Sequence, residues 1–282
     1  MLPFGVYAAV AMTPNLSWTL DPLPIIAAAA VGTAYLRRFA RVRRAPAARV
    51  AADAPAWRLA CFAGALALGL AAVISPLDSL ADELFCMHML QHVLLLDVVP
   101  ILAIAGLTKV LLRPVTRALR GVERAAGPLA EPAFAVALYV AVIWAWHVPA
   151  AYDFALRHAA VHALEHATFL AAGSLYWWHL LSPIRSRLRR SGMGPVLYMT
   201  STKLLVGALG MGLAFAPSTL YAFYADQGRV WGLSVADDQS LAGGLMAVEQ
   251  SLVMGVALVV LFIGALAESE REQRRRERYE TA

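Results

Sequence analysis

An all-α bundle of seven membrane-crossing helices is the fold this sequence predicts, from its composition, the spacing of its apolar runs and the placement of its basic residues. Of the 282 residues, 60% are hydrophobic and 15% charged, and the mean hydropathy of +0.62 lies above that of ordinary soluble domains. Crossing the hydrocarbon core takes roughly 20 apolar residues. Runs approaching or exceeding that length fall at 21–36, 57–75, 83–106, 132–147, 161–181, 195–215 and 241–267. The first is the weakest, being short and alanine-rich. The expected organisation is an outer amino-terminal segment over 1–20, a transmembrane domain over 21–267 and a charged cytoplasmic tail over 268–282.

Orientation follows from the arginines and lysines. One group follows the first span (Arg37, Arg38, Arg41, Arg43, Arg44, Arg49, Arg58), another the third (Lys109, Arg113, Arg117, Arg120, Arg124). A further group follows the fifth (Arg185, Arg187, Arg189, Arg190) and the last follows the seventh (Arg271, Arg274, Arg275, Arg276, Arg278). These are 21 of the 24 basic residues; Arg157 and Arg229 fall on the other side, and Lys203 within a span. Cytoplasmic loops retain positive charge, so the amino terminus is placed outside and the carboxyl terminus inside a multi-pass protein of the cytoplasmic (inner) membrane. The net charge of +5 is thus a topological signal. It does not point to nucleic acid, because the basic groups lack interleaved aromatics.

Cys61 and Cys86 sit in separate spans on opposite sides of the membrane, which implies no disulfide framework. No basic region precedes the apolar stretch 2–12, so a cleaved signal peptide is not expected. The stretch 216–240, with Tyr221, Tyr224, Trp231, Asp237 and Asp238, is expected at the outer interface, and the tail as a solvated helix extension.

The histidines carry the most chemical information. His88 and His92 lie four apart in the third span, and His158, His162 and His166 form an i, i+4, i+8 series entering the fifth. Residues four apart share a helix face, so each pair offers two imidazoles to one point. At 1.5 Å per residue, His92 lies on the order of 14 Å below the outer end of its span and His166 about 8 Å. Polar groups at such depth face a partner, a ligand or a cavity, so these rings point inward.

Metal ligation by His88, His92, His162 and His166 is one reading; hydrogen-bonded helix packing and haem ligation are the others. Imidazole donors favour copper or zinc over hard cations. Cys86, Met87 and Met89 add soft sulfur beside the first pair, although Cys86 and Met89 diverge from the His88 face. Glu165 offers a carboxylate as ligand or as second-layer support. His147, beside Trp144 and Trp146, and His158 read as interfacial polar tips before ligands, and His179 sits toward the cytoplasmic end.

Glu249 and Asp97 are intramembrane carboxylates, Asp238 stands at the outer start of the seventh span, and Lys203 is a candidate partner for one of the acids. Gly207, Gly210, Gly212, Gly243, Gly244 and Gly255 suit close helix approach. Pro100 is expected to kink the third span below His92. No paired nucleophile and no phosphate-binding glycine loop is present, so an enzyme is not expected.

The chain contains, in order, Asp21-Pro22, His88-Met89-Leu90-Gln91-His92 with Pro100, and Trp146-His147-Val148-Pro149 with Tyr152-Asp153. His162-Ala163-Leu164-Glu165-His166, Trp177-Trp178, and Asp238-Gln239 with Ala242-Gly243 follow. In these residues, and over most of its length, it resembles the CtaG family of cytochrome c oxidase assembly factors associated with caa-type oxidases. The resemblance implies a seven-helix protein needed for active oxidase, with a part in copper supply to its metal centres. It implies functional positions at His88, His92, His162, His166, Asp238 and Gln239, with oxidase subunits and other copper chaperones as partners besides membrane lipid. Two alternatives remain open at this point: a haem-binding redox protein, and an ion or metal transporter using Asp97, Lys203, Glu249 and the histidines as a relay.

Overall fold

The computed structural model describes residues 13–184 and 193–280. The basic cluster expected at Arg185, Arg187, Arg189 and Arg190, most of the outer segment 1–20 and the last two residues of the tail lie outside the described residues. Among the described residues there is no strand, so the all-α expectation holds. The long helices are α1 (Pro22–Arg43), α2 (Ala56–Ile74), α3 (Phe85–Ala105), α4 (Pro132–Trp146), α5 (Ala159–Leu181), α6 (Gly194–Ala214) and α7 (Val235–Glu280).

Local chemistry sets several of these boundaries. Asp21 accepts a hydrogen bond from the Leu23 N–H at 2.9 Å, and Pro22 occupies the first helical position, where its missing N–H costs nothing. The amino end of α3 is capped from a distant part of the chain. The Asp238 carboxylate accepts from the Phe85 N–H at 2.7 Å and the Cys86 N–H at 2.9 Å. A cap of this kind contributes about 1 kcal/mol, and here it also ties the start of α7 to the start of α3. At the opposite end, arginines cap exposed carbonyls: Arg58 donates to Ala105 and Leu107, and Arg38 to Val110 and Leu111. The first basic group therefore does structural work where helices end, besides any part in topology.

Among the described residues, four helices are long and apolar enough to cross a bilayer: α2, α3, α6 and Val235–Gly264 of α7. A fifth is added if Thr116–Ala130 and Pro132–Trp146, bent by 69°, form one broken span. The difference from the expected seven has physical reasons. Helix α1 ends in arginines, α5 carries three histidines and a glutamate, and α4 has 15 residues, about 22 Å against a core of about 30 Å. The outward faces of α1, α6 and α7 are apolar, with Leu23, Leu204 and Val256 all well exposed. A surface of that kind belongs in lipid.

Helix α3 is the centre of the bundle, packing against α2, α5 and α7. It is not uniform. Residues Leu94–Val98 form a π-helical turn just before Pro100, which has no N–H to return to the Leu96 carbonyl. The irregularity beside Pro100 takes the form of this π-helical turn, whose extra residue places Asp97 on the buried side. Against this turn lies Gly173 of α5, where a Cβ would strike the Leu96 backbone. On the far side of the bundle Gly243 of α7 lies against the Gly210 carbonyl and Ala214 of α6. Gly207, Gly212, Gly244 and Gly255 face open space, contrary to the packing role expected of them.

One further expectation changes, and one, the tail as a solvated helix extension, holds. Tyr221 and Tyr224 are not interfacial: both are buried, stacked with Phe85 and Tyr152, and their hydroxyls donate to the His147 and Ala81 carbonyls. These two tyrosines turn inward as a plug over the end of the bundle where α3 begins, because aromatic rings with one satisfied polar tip are inexpensive to bury; Trp231 and Asp237 of the same stretch are exposed. The charged residues following the seventh span continue α7 without a break as far as Glu280, and those whose side chains are described are exposed.

Candidate metal centre

Helices α3 and α5 bring the predicted histidines together. On α3 the four-residue spacing stacks His88 over His92, with their Nε2 atoms 2.7 Å apart. On α5 the rings of His162 and His166 lie 4.2 Å apart, and the ring of His88 is 5.0 Å from His162 and 5.7 Å from His166. The Glu165 carboxylate, on α5 like the second row, reaches the α3 row, 3.4 Å from His92 Nε2 and 3.8 Å from His88 Nε2. His88 and Glu165 are fully buried; His162 is part-exposed and marks the accessible rim.

The donor set fits a transition-metal ion. Among the described residues, two groups of potential ligand atoms each lie within 4.8 Å of one another: His88, His162, His166 and His88, His92, Glu165. The two nitrogens at 2.7 Å are near the lower limit for neighbours on one ion bound at about 2.0–2.1 Å. Without an ion, one of those imidazoles donates to the other, yet several buried atoms then lack a partner. They include Nε2 of His162 and His166, Nδ1 of His88 and His92, and both Glu165 oxygens. Buried polar atoms are normally satisfied, so this many unpartnered imidazole nitrogens and carboxylate oxygens in one cluster is what a cation site offers.

An apolar wall surrounds the cluster. Phe169 lies 4.2 Å from the His92 ring and Tyr152 5.2 Å from the His88 ring, centroid to centroid. Exclusion of water strengthens the field of the single carboxylate. Outside the spans, burial raises the Asp78 carboxyl against hydrogen bonds that include one from the Gln91 amide. Burial also pushes Asp82 up to about 6, with the charges of Asp78 and Glu83 adding to it.

The remaining candidates are placed as follows. His158 stays outside the cluster as the residue before α5, exposed, its Nδ1–H donating to Phe154 at 2.8 Å. His147 is buried instead of interfacial, because the Tyr221 plug covers it, and its ring lies 6.1 Å from His92. Asp238 caps α3 as described, and Gln239 accepts from the Leu220 N–H at 2.7 Å and donates to the Ser218 carbonyl at 3.2 Å. Both hold the plug in place and are not part of the histidine cluster. Glu249 shares a cavity of about 20 Å³ with His92, His147, Met89 and Asp97.

Asp97, whose role the sequence leaves unexplained, accepts from the Tyr139 hydroxyl at 2.8 and 2.9 Å and from the Trp177 indole at 2.6 Å. The intramembrane acid is a structural hub joining α3, α4 and α5, and Trp177 of the Trp177-Trp178 pair is one of its donors. Lys203 lies within electrostatic range of Glu249, although no ion pair joins them among the described residues. Tyr139, Phe169 and Tyr152 were not expected at the site. For Tyr152 the signal was its place beside the Trp146-His147-Val148-Pro149 motif; for the other two, single aromatics in apolar runs, there was none.

The chain is similar to uncharacterized proteins of three mycobacteria. It is 24% identical to one from Mycobacterium bovis and to one from Mycobacterium tuberculosis, over 93% of this chain and 41% of each of those. A third, from Mycobacterium leprae, is 22% identical over the same shares. The chain thus spans about two fifths of the length of the curated relatives it matches. No solved structure matches it. The family described as cytochrome c oxidase caa3 assembly factor (Caa3_CtaG) matches residues 33–268, a region that contains every residue of the histidine cluster, and the chain belongs to that family.

Proposed function

We propose that this protein supports maturation of a caa-type cytochrome c oxidase by binding copper at the cluster formed by His88, His92, His162, His166 and Glu165. Family membership supports the assembly role. The observation that carries the copper reading is the gathering of imidazoles from two helices around His88, with unpartnered ring nitrogens and the buried Glu165 carboxylate among them. Imidazole donors suit copper and zinc and are poor ligands for magnesium or calcium. The ion is cargo, and the protein's part is to hold it in a dry pocket until a partner takes it. Neutral imidazoles supply the bonds, Glu165 supplies the countercharge, and part-exposed His162 gives the route in and out.

The arrangement favours an ion over haem. The rings of the cluster stand between 4.2 and 5.7 Å apart, which leaves no slot for a porphyrin between them. In the membrane we place seven spans, adding α1, α4 and α5 to the four helices that qualify by length and composition. The bias of basic residues sets the carboxyl terminus in the cytoplasm and the histidine end outside, in the cytoplasmic membrane. Oxidase subunits and copper chaperones are the partners of this reading.

The test is made in cells that depend on this protein for oxidase. The His88→Ala/His92→Ala variant should reach the membrane at the wild-type level yet leave oxidase activity, and the copper content of the purified oxidase, reduced about tenfold or more. Full oxidase activity with a copper-replete enzyme would overturn the proposal.

A further inference from the structure

Beneath the histidine cluster a second arrangement of donors has no satisfied hydrogen-bonding scheme. The Nδ1–H of His147 donates to the Ile143 carbonyl at 2.7 Å. A neutral imidazole carries one ring proton, so this bond leaves a lone pair on Nε2. That lone pair faces the Met89 thioether sulfur at 3.3 Å, and a thioether has no proton to offer. Two acceptors therefore confront each other, in side chains that are 5% and 0% exposed. Alongside lies the cavity of about 20 Å³ lined by Met89, His92, Asp97, His147 and Glu249, which is large enough for one water or one ion.

We propose that His147 Nε2 and Met89 Sδ bind a soft monovalent cation, Cu(I), at a second station next to the histidine–glutamate cluster. Thioether with imidazole is a donor pair that selects Cu(I) over divalent ions. Bonds of about 2.0 Å to nitrogen and about 2.3 Å to sulfur span the observed gap with both atoms where they stand. Asp97 and Glu249 bring carboxyl groups to the same cavity and supply countercharge. His92 borders both stations, so an ion moving between them exchanges ligands without meeting water. The proposal rests on the copper reading for the identity of the cargo, but its donors are different side chains.

Anaerobic titration of the purified full chain with Cu(I), followed by copper X-ray absorption, separates the two stations. The wild type should bind two equivalents and show a sulfur neighbour at about 2.3 Å. Met89→Leu, a volume-conserving change that the core tolerates, should lose one equivalent and the sulfur neighbour together, assigning the sulfur to Met89 and not to Cys61 or Cys86. His88→Ala should keep the sulfur-bearing equivalent and lose the other. A wild type without a sulfur neighbour, as expected if a water donates to both atoms, would overturn the proposal, and so would a Met89→Leu spectrum equal to that of the wild type. If His88→Ala bound as much copper as the wild type, the histidine–glutamate cluster would fall while the station at Met89 stood.

Discussion

Replacing His88 alone is expected to abolish stoichiometric Cu(II) binding at the histidine–glutamate cluster, whereas replacing His162 or Glu165 alone is not. His88 is the one residue common to both groups of convergent ligand atoms. His88→Ala therefore dismantles both at once and should weaken binding of Cu(II), used as a probe, by more than about a hundredfold, beyond the usual cost of losing a supporting partner. His162→Ala leaves His88, His92 and Glu165 together, and Glu165→Gln leaves His88, His162 and His166. Each of these should lower affinity by about tenfold with the stoichiometry kept. Equilibrium titration of the purified variants reads the difference. Equal losses from all three would mean that the site is a single shell and not two overlapping ones.

The second large effect is steric. Gly173→Ala is expected to destabilise the protein and to impair metal binding, although residue 173 lies two helical turns beyond the nearest ligand, His166. A methyl group there meets the backbone of Leu96, which has no flexible end to move aside, so α5 must shift away from the π-helical turn of α3. Overpacking of this kind costs about 1–3 kcal/mol, sometimes more, and it displaces Glu165 and His166 from His88 and His92. Gly244→Ala is the internal control, because no atom lies within 4 Å of the added carbon. In detergent, Gly173→Ala should melt several degrees below the wild type, on the order of 2–4 °C per kcal/mol, and Gly244→Ala should match the wild type. A wild-type melting temperature for Gly173→Ala would show that the two helices are farther apart than described.

What the sequence disclosed about this site was the part that depends on helical geometry alone. His88 with His92, and His162 with His166, are neighbours by spacing, and polarity at that depth forces them inward. That the two rows should meet follows from the crossing of α3 and α5, which is set by Gly173 and the π-helical turn; neither announces itself in a local pattern. The same limit explains Asp238. The sequence marks it as an acid at the start of the seventh span, and the resemblance as a functional position of the family, but the helix it caps begins more than 150 residues earlier.

His147 shows the error that follows from reading depth off a span end. It terminates α4, where the bilayer interface was expected, yet the tyrosines of 216–240 fold over it and bury it. Asp97 is the converse case: an acid that looked like a relay proves to be held by an indole and a phenol. Fold class was legible because composition and apolar runs report it directly. Gly207, Gly212, Gly244 and Gly255 were misjudged because small residues in a lipid-facing helix look the same whether or not a neighbour approaches.

The claim on which the account depends is that imidazoles from α3 and α5 share one ion. Pulsed electron paramagnetic resonance of the protein loaded with one equivalent of Cu(II) tests it directly, since the remote nitrogen of each coordinated imidazole modulates the echo. Modulation from at least two imidazoles, lost in His88→Ala, is the predicted result. Modulation from a single imidazole, or a signal that His88→Ala leaves unchanged, would contradict it.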